Sequence, residues 1–230
     1  MPVVAIVLLL MMLPYAVFAE SKRGSAFDAT TATAGAAKSG LFIGRASGGL
    51  FSEWRPQGSM FEKAGKGLHG SDVQMIRALI QEAESRKDGY DAVQHGARIA
   101  PPKPPTQMTL AEVFAWIDAT PNQPHAIGRY QFIPKTLSRV VVVTGVKLSQ
   151  RFSSTIQDQL ADVLLIEAGL HKFRTGQLGR QAFMDNMAKI WAGLPNSKGK
   201  SHYAGYAGNK ASVTWARFDA VMAQISPKSG

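Results

Sequence analysis

Apolar residues at Val73, Ile76, Leu79, Ile80 and Ala83 recur at the spacing of a helix that buries one face, and no such period occurs in the fifty residues before them. Ser71, with Gln74 three residues on, has the spacing of a capping box, which predicts a helix from about Asp72 to Glu84 or Ser85. A second capping-box pattern, Thr109 with Glu112, opens a helix through Val113, Phe114 and Trp116 to Ile117. Later apolar stripes predict helices over 131–144, 153–168, 180–191 and 211–225. After the first helix Gly89-Tyr90-Asp91 breaks the period. Ala92-Val93 and Arg98-Ile99 then read as the short strands of a small β-hairpin, and the Pro-rich run after Ala100 as an exposed loop. The expectation is an α+β domain, mostly helical with one small sheet, over residues 71–226.

The chain has 230 residues, enough for one well-cored domain with an extra segment. That extra segment lies upstream. Residues 20–70 are rich in Ser, Thr, Ala, Gly and Lys, with short apolar patches at Leu41-Phe42-Ile43 and Leu50-Phe51, and read as a flexible linker or tail. Trp54 and Phe61 are candidates to dock on the domain. Met1 to Ala19 has no charged side chain, holds a long apolar run, and ends in Val17-Phe18-Ala19 before Glu20, the pattern of a processed secretory signal. An uncleaved membrane anchor competes with that reading, because the run approaches the length of a span. Pro14 and the Ala19 site favour cleavage. Either way the domain is expected outside the cytoplasm, periplasmic or secreted, and touches a membrane only if the first segment stays attached.

There is no cysteine, so disulfides say nothing about the compartment. The formal net charge of +10 favours an anionic polymer as partner: an envelope glycopolymer first, lipid headgroups second, nucleic acid third. The competing reading is a solvated basic surface with no partner. The basic residues are scattered without interleaved aromatics, which argues against nucleic acid. There is no phosphate-binding Gly-rich loop and no GxSxG elbow. The five histidines have no metal-like spacing, so neither nucleotide nor metal cofactor is expected. Carboxylate chemistry remains.

Glu82 and Glu84 stand at the end of the first amphipathic helix, beside a sharp break. Two residues apart they point roughly 200° from one another, so only one of them can lean toward a cleft lined by the following loop. Partial burial there would raise a carboxyl pKa into the range of a general acid/base. Spacing alone leaves both as ordinary surface charges.

Four segments in order carry more information than that helix alone. Ala83-Glu84-Ser85 is followed by Gly89-Tyr90-Asp91-Ala92-Val93, then by Ala126-Ile127-Gly128-Arg129-Tyr130-Gln131-Phe132 after Thr109-Leu110, and lastly by Lys189-Ile190-Trp191-Ala192-Gly193-Leu194-Pro195. The series resembles the lysozyme-like muramidases and lytic transglycosylases typified by the phage lambda endolysin, and covers residues 71–225. The resemblance implies a lysozyme-like fold and peptidoglycan glycan strands as partner. It also implies Glu84 as the general acid/base at the bond between N-acetylmuramic acid and N-acetylglucosamine.

Tyr130 and Gln131 match the family segment that lines the cleft, where they would position sugar and peptide groups, Tyr130 the likelier contact; the competing reading is helix-start packing. Ser85 either orients Glu84 or caps the helix end. Tyr203 or Tyr206 corresponds to an aromatic on a loop that closes over substrate, although this loop is longer than the family's. Trp191 falls on the apolar stripe with Phe183, Met187 and Ile190 and reads as core.

A hydrolase would need a second carboxylate at a set distance. Asp91, Asp118 and Glu167 are the candidates, each with a structural alternative: a turn anchor, a solvated turn residue and a bond across the core. The family is implied to manage with one Glu, which favours lytic transglycosylation over hydrolysis. A non-catalytic peptidoglycan-binding module is the alternative from another class, and a monomer is expected.

Overall fold

A computed structural model of the protein describes residues 67–205 and 209–225, all within one compact unit of the chain. Residues 1–19, Trp54, Phe61 and Tyr206 lie outside the described residues. Among those described there are seven α-helices: α1 Ser71–Glu84, α2 Leu110–Ala119, α3 Pro134–Thr144, α4 Ser154–Ala168, α5 Leu170–Arg174, α6 Arg180–Ala188 and α7 Trp215–Gln224. None is long and apolar enough to cross a membrane.

Helix α4 is the hub. Ten of its fifteen residues are buried, including Gln157 and Asp162, and α3, α5 and α6 pack against it. A helix surrounded on most sides has no single apolar stripe, and its polar residues must be satisfied inside the protein. Gln157 donates to the carbonyls of Tyr90 and Phe152 and accepts from the Arg129 amide. Asp162 accepts from Arg77 on α1 and from the backbone amide of Leu68. Leu68 is itself buried, so folded contacts reach back just ahead of Ser71.

Local signals explain most helix ends. Thr109 and Glu112 form both bonds of a capping box at the start of α2. The Ser153 and Thr214 hydroxyls accept from Ile156 and Arg217 at the starts of α4 and α7. Helix α3 begins at Pro134 instead of 131, because Phe132 is held back by two backbone bonds with Ile127 and the residue before a proline avoids the helical region. At α1 the expected capping box does not form. Gly70 is the N-cap, with no side-chain cap, and Asp72 in the first turn is held by Arg174 at 2.6 and 2.9 Å. Helix α6 stops at Ala188, short of Trp191, and α7 starts at Trp215 because Ser212 is engaged elsewhere.

The expected β-hairpin is also corrected. Among the described residues there is no strand, only isolated bridges. Ala92-Val93 does not pair with Arg98-Ile99. Val93 bridges Ile127, while the Ile99 amide and carbonyl are taken by the side chain of Gln123, with the Trp116 indole also donating to that carbonyl. Alternating apolar residues mark an extended stretch but do not name its partner.

Candidate active site

Helix α1 ends at Glu84 because the next residues turn away from the helical path. The Ser85 and Arg86 amides both donate to the Gln81 carbonyl, Arg86 adopts a left-handed φ of 49°, and the Gln81 side chain donates to the Arg86 carbonyl. A non-glycine residue in that conformation is costly and persists only where surrounding bonds fix it. Glu84 is thereby held at the edge of the buried face, half-buried, with Ala83 and Ser85 buried on either side. Glu82 points away to solvent and pairs with Arg217 of α7 at 2.9 Å. The two glutamates therefore divide as their spacing requires: Glu82 braces α7, and Glu84 faces inward.

The Glu84 carboxylate accepts one backbone bond, from the Gly193 amide to Oε1 at 2.8 Å. Burial pushes its pKa up to about 7, and the Gly193 bond, which favours the charged form, only partly offsets this. Among the described residues no charged neighbour contributes to that shift. Gly193 fits here because it lacks a side chain. A Cβ at that position would sit 2.4 Å from the Ala83 carbonyl oxygen and 2.8 Å from Ser212 Oγ. Ser212 completes the junction, its hydroxyl donating to the Ala83 carbonyl and its amide to the Gly193 carbonyl. Neither residue stood out in the sequence as a functional position, because a backbone amide donor and a space requirement leave no side-chain signature.

The other two segments meet each other. The Gly128 amide donates to the Ala92 carbonyl at 2.7 Å and the Gln94 amide to Ala126 at 2.9 Å. Arg129 lies over the rings of Tyr90 and Tyr130 and donates to the Tyr90 hydroxyl at 2.6 Å. Both tyrosine hydroxyls reach Asp158 on α4, which pairs with Arg77 on α1. The four ordered segments thus join into one connected structure, with Glu84-Gly193 at one junction and Tyr90-Arg129-Asp158 at the other.

That arrangement changes several expected roles. Tyr130 is 2% exposed, with its hydroxyl 2.5 Å from Asp158, and belongs to the interior instead of a substrate-facing wall. Its pKa is raised by burial and then by Asp158, which keeps the phenol protonated as a donor. Gln131 is half-buried at a left-handed φ of 46°, and its amide nitrogen donates to the Gly128 carbonyl, closing the tight turn between Ile127 and Phe132. Ser85 is buried, and among the described residues its hydroxyl has no hydrogen-bond partner. Tyr203 is 39% exposed, and its hydroxyl donates to the Lys189 carbonyl. Trp191 is core at 2% exposure.

The candidate second carboxylates have structural partners or face solvent. Asp91 accepts from the Thr106 amide and ties two 3₁₀ turns together. Glu167 forms a two-pronged pair with Arg139 of α3 at the helix edge, not across the core. Asp118 is exposed. An open groove runs over the outer side of α1, lined by Ala78, Gln81, Glu82, Arg86 and Ser212. It abuts the Glu84 turn without including Glu84. Among the described residues no group of three or more His, Cys, Asp or Glu could hold a metal ion. No family model, curated protein or solved structure matches the chain.

Proposed function

We propose that the protein cleaves the β-1,4 glycosidic bond between N-acetylmuramic acid and N-acetylglucosamine in peptidoglycan, acting outside the cytoplasm as a lytic transglycosylase. The observation that carries this reading is Glu84: a half-buried carboxyl raised to about 7, held by the Gly193 amide at a helix end. A group with that pKa is substantially protonated at the start of a reaction near neutrality and a competent base once it has given up its proton. The convergence of the four segments supports the lysozyme-like fold that their order suggests.

In the proposed reaction the Glu84 carboxylic acid donates its proton to the glycosidic oxygen as the bond to muramic acid C1 breaks, releasing the N-acetylglucosamine side as an alcohol. The carboxylate then takes the proton from the C6 hydroxyl of the same muramic acid, whose oxygen closes on C1. The proton returns to Glu84, no water is consumed, and a 1,6-anhydro end remains. A single carboxylate suffices. The structural engagement of Asp91 and Glu167 and the lack of a charged neighbour acting on Glu84 favour this route over a two-carboxylate hydrolysis.

Mass spectrometry of products released from purified sacculi tests it. Wild type should yield anhydro-muropeptides, and Glu84→Gln none. Products with reducible ends alone would replace transglycosylation by hydrolysis. Sedimentation with sacculi without release of any product would leave only a binding module.

A further inference from the structure

The segment that supplies Gly193 begins and ends at the same turn. Gly193 bonds to Glu84, Ser212 bonds to Ala83, and Gly193 and Ser212 bond to each other, so the two ends of the intervening segment are pinned beside the candidate acid/base. Its charge is one-sided. From Asp185 to Asp219 the sequence contains no acidic residue, while Lys189, Lys198, Lys200, His202, Lys210 and Arg217 fall inside that interval. Among the described residues two carboxylates touch the segment, Glu84 at the Gly193 amide and Asp185 at the Ser197 amide, the latter at 2.7 Å.

The first part of the loop is a built turn. Pro195 and Ser201 form a bridge, the Asn196 amide donates to the Lys200 carbonyl, and the Gly199 amide returns to the Asn196 carbonyl. Asn196 Oδ1 accepts from the amides of both Lys198 and Lys200. Ser201 is buried and holds the Ala192 carbonyl, which ties the turn to the Gly193 side of the junction. The backbone of the two lysines is therefore fixed while their side chains are exposed, and among the described residues neither has a carboxylate partner. His202 lies edge-on to Tyr203 at the end of the turn.

On the reading of the function given above, the glycan backbone presented to Glu84 is an N-acetylated, uncharged chain. The nearest anionic groups on such a strand are the carboxylates of the stem peptide carried by the muramic acid itself. Phosphate-bearing polymers attached to the wall offer the same charge from a different source. We propose that the turn from Pro195 to Tyr203 is an anion subsite in which Lys198 and Lys200 take stem-peptide carboxylates beside the cleaved bond. The protein thereby selects strands that carry free stem-peptide carboxylates over strands whose carboxylates are neutralised. The stem peptide is the favoured source because it is covalently fixed to the sugar at the reacting bond, whereas the turn is fixed to the residue that acts on it.

The test uses full-length Glu84→Gln protein, which leaves the strands intact, in sedimentation binding with three preparations free of phosphate polymers. These are peptide-bearing sacculi, the same sacculi with carboxylates amidated, and strands stripped of stem peptides whose freed lactyl carboxylates are likewise amidated. Binding to the first should be about three- to ten-fold tighter than to the other two, as expected for two exposed charge pairs, and the difference should shrink with salt. Adding Lys198→Gln and Lys200→Gln should remove that preference without weakening binding to stripped strands. A preference that survives in the lysine variant overturns the proposal. So does one that appears only when phosphate polymers are left on the sacculi. The binding outcome is separate from cleavage: wild type releasing no muropeptides while the preference holds would reject the enzymatic reading and keep the subsite.

Discussion

Gly193 and Glu84 are 109 residues apart in the chain and joined by a single bond, the glycine amide to carboxylate Oε1 at 2.8 Å. The amide favours the ionised carboxylate and burial favours the protonated one, and burial prevails, leaving the group near 7. The rate of glycan cleavage should therefore hold on the acid side of neutrality and fall as pH rises through about 7, where Glu84 loses the proton it must donate. A kcat/KM profile on soluble glycan strands measures this. A profile still rising at pH 8 would assign the acid role to another group.

The same shift has a consequence for stability that does not depend on activity. Glu84 is raised from an ordinary value of 4.5 to about 7, so the folded protein binds its proton more tightly than the unfolded chain does. Below pH 4.5 both states are protonated and the site costs nothing. Between 4.5 and 7 the unfolded chain ionises first, and the folded state loses stability progressively, up to about 3 kcal/mol for a shift of this size. Gln resembles the protonated acid and still accepts the Gly193 amide. Glu84→Gln should therefore be more stable than wild type at pH 8 and nearly equal to it at pH 4, by denaturant titration at the two pH values.

At Gly193 the constraint is space. A methyl group would fall 2.4 Å from a backbone oxygen and 2.9 Å from its carbon, and backbone cannot swing aside as a long side chain can. Gly193→Ala should displace the amide from Glu84, lowering kcat/KM at least tenfold, with a loss of about 1–3 kcal/mol of stability from overpacking. Ser212→Ala removes two hydrogen bonds without adding bulk and should cost about 1–2 kcal/mol. If Gly193→Ala retained wild-type kinetics, the Glu84-Gly193 bond would have no part in the reaction.

How much of this was legible in the sequence depends on how local each cause is. The α2 capping box needs only Thr109 and Glu112, three residues apart, and it forms as read. Ser71 and Gln74 have the same spacing, yet Gly70 takes the cap, because the first turn of α1 is positioned by Arg174, 102 residues away. Helix geometry required that only one of Glu82 and Glu84 face inward and the resemblance pointed to Glu84, whereas its Gly193 partner was not legible, since any residue other than proline offers an amide. Tyr130 shows the limit from the other side. The resemblance implied a sugar contact for this aromatic, and only the distant Asp158 shows it to be a buried hydroxyl with a structural partner.

Tyr130 accordingly yields a prediction opposite to that of a substrate contact. Tyr130→Phe removes the hydroxyl from Asp158 and leaves a half-buried carboxylate with one donor fewer, so stability should fall by about 1–3 kcal/mol. KM for glycan strands should stay within about twofold, since a ring 2% exposed cannot stack on a sugar. A large rise in KM with unchanged melting would return Tyr130 to the substrate surface.

Arg77 and Asp162 decide whether the network behind Glu84 is cooperative. Arg77 sits on the buried face of α1, donates to Asp162 at 2.7 Å and lies 3.2 Å from Asp158, while Asp162 also accepts from the Leu68 amide at 2.6 Å. Asp162→Leu would strand a buried guanidinium and the Leu68 amide together, a loss of about 3–5 kcal/mol. Arg77→Met would leave Asp162 and Asp158 facing one another without their shared cation, a loss of similar size. Because each single change removes a charge partner of the other residue, the double variant should lose clearly less than the sum of the two. Asp162→Asn, which keeps an acceptor for Leu68, should be milder than Asp162→Leu and should preserve protection of the chain around Leu68 from proteolysis. Additive losses in a chemical-denaturation cycle would mean that Arg77 and Asp162 act independently, and that α1 is held to α4 by apolar packing alone.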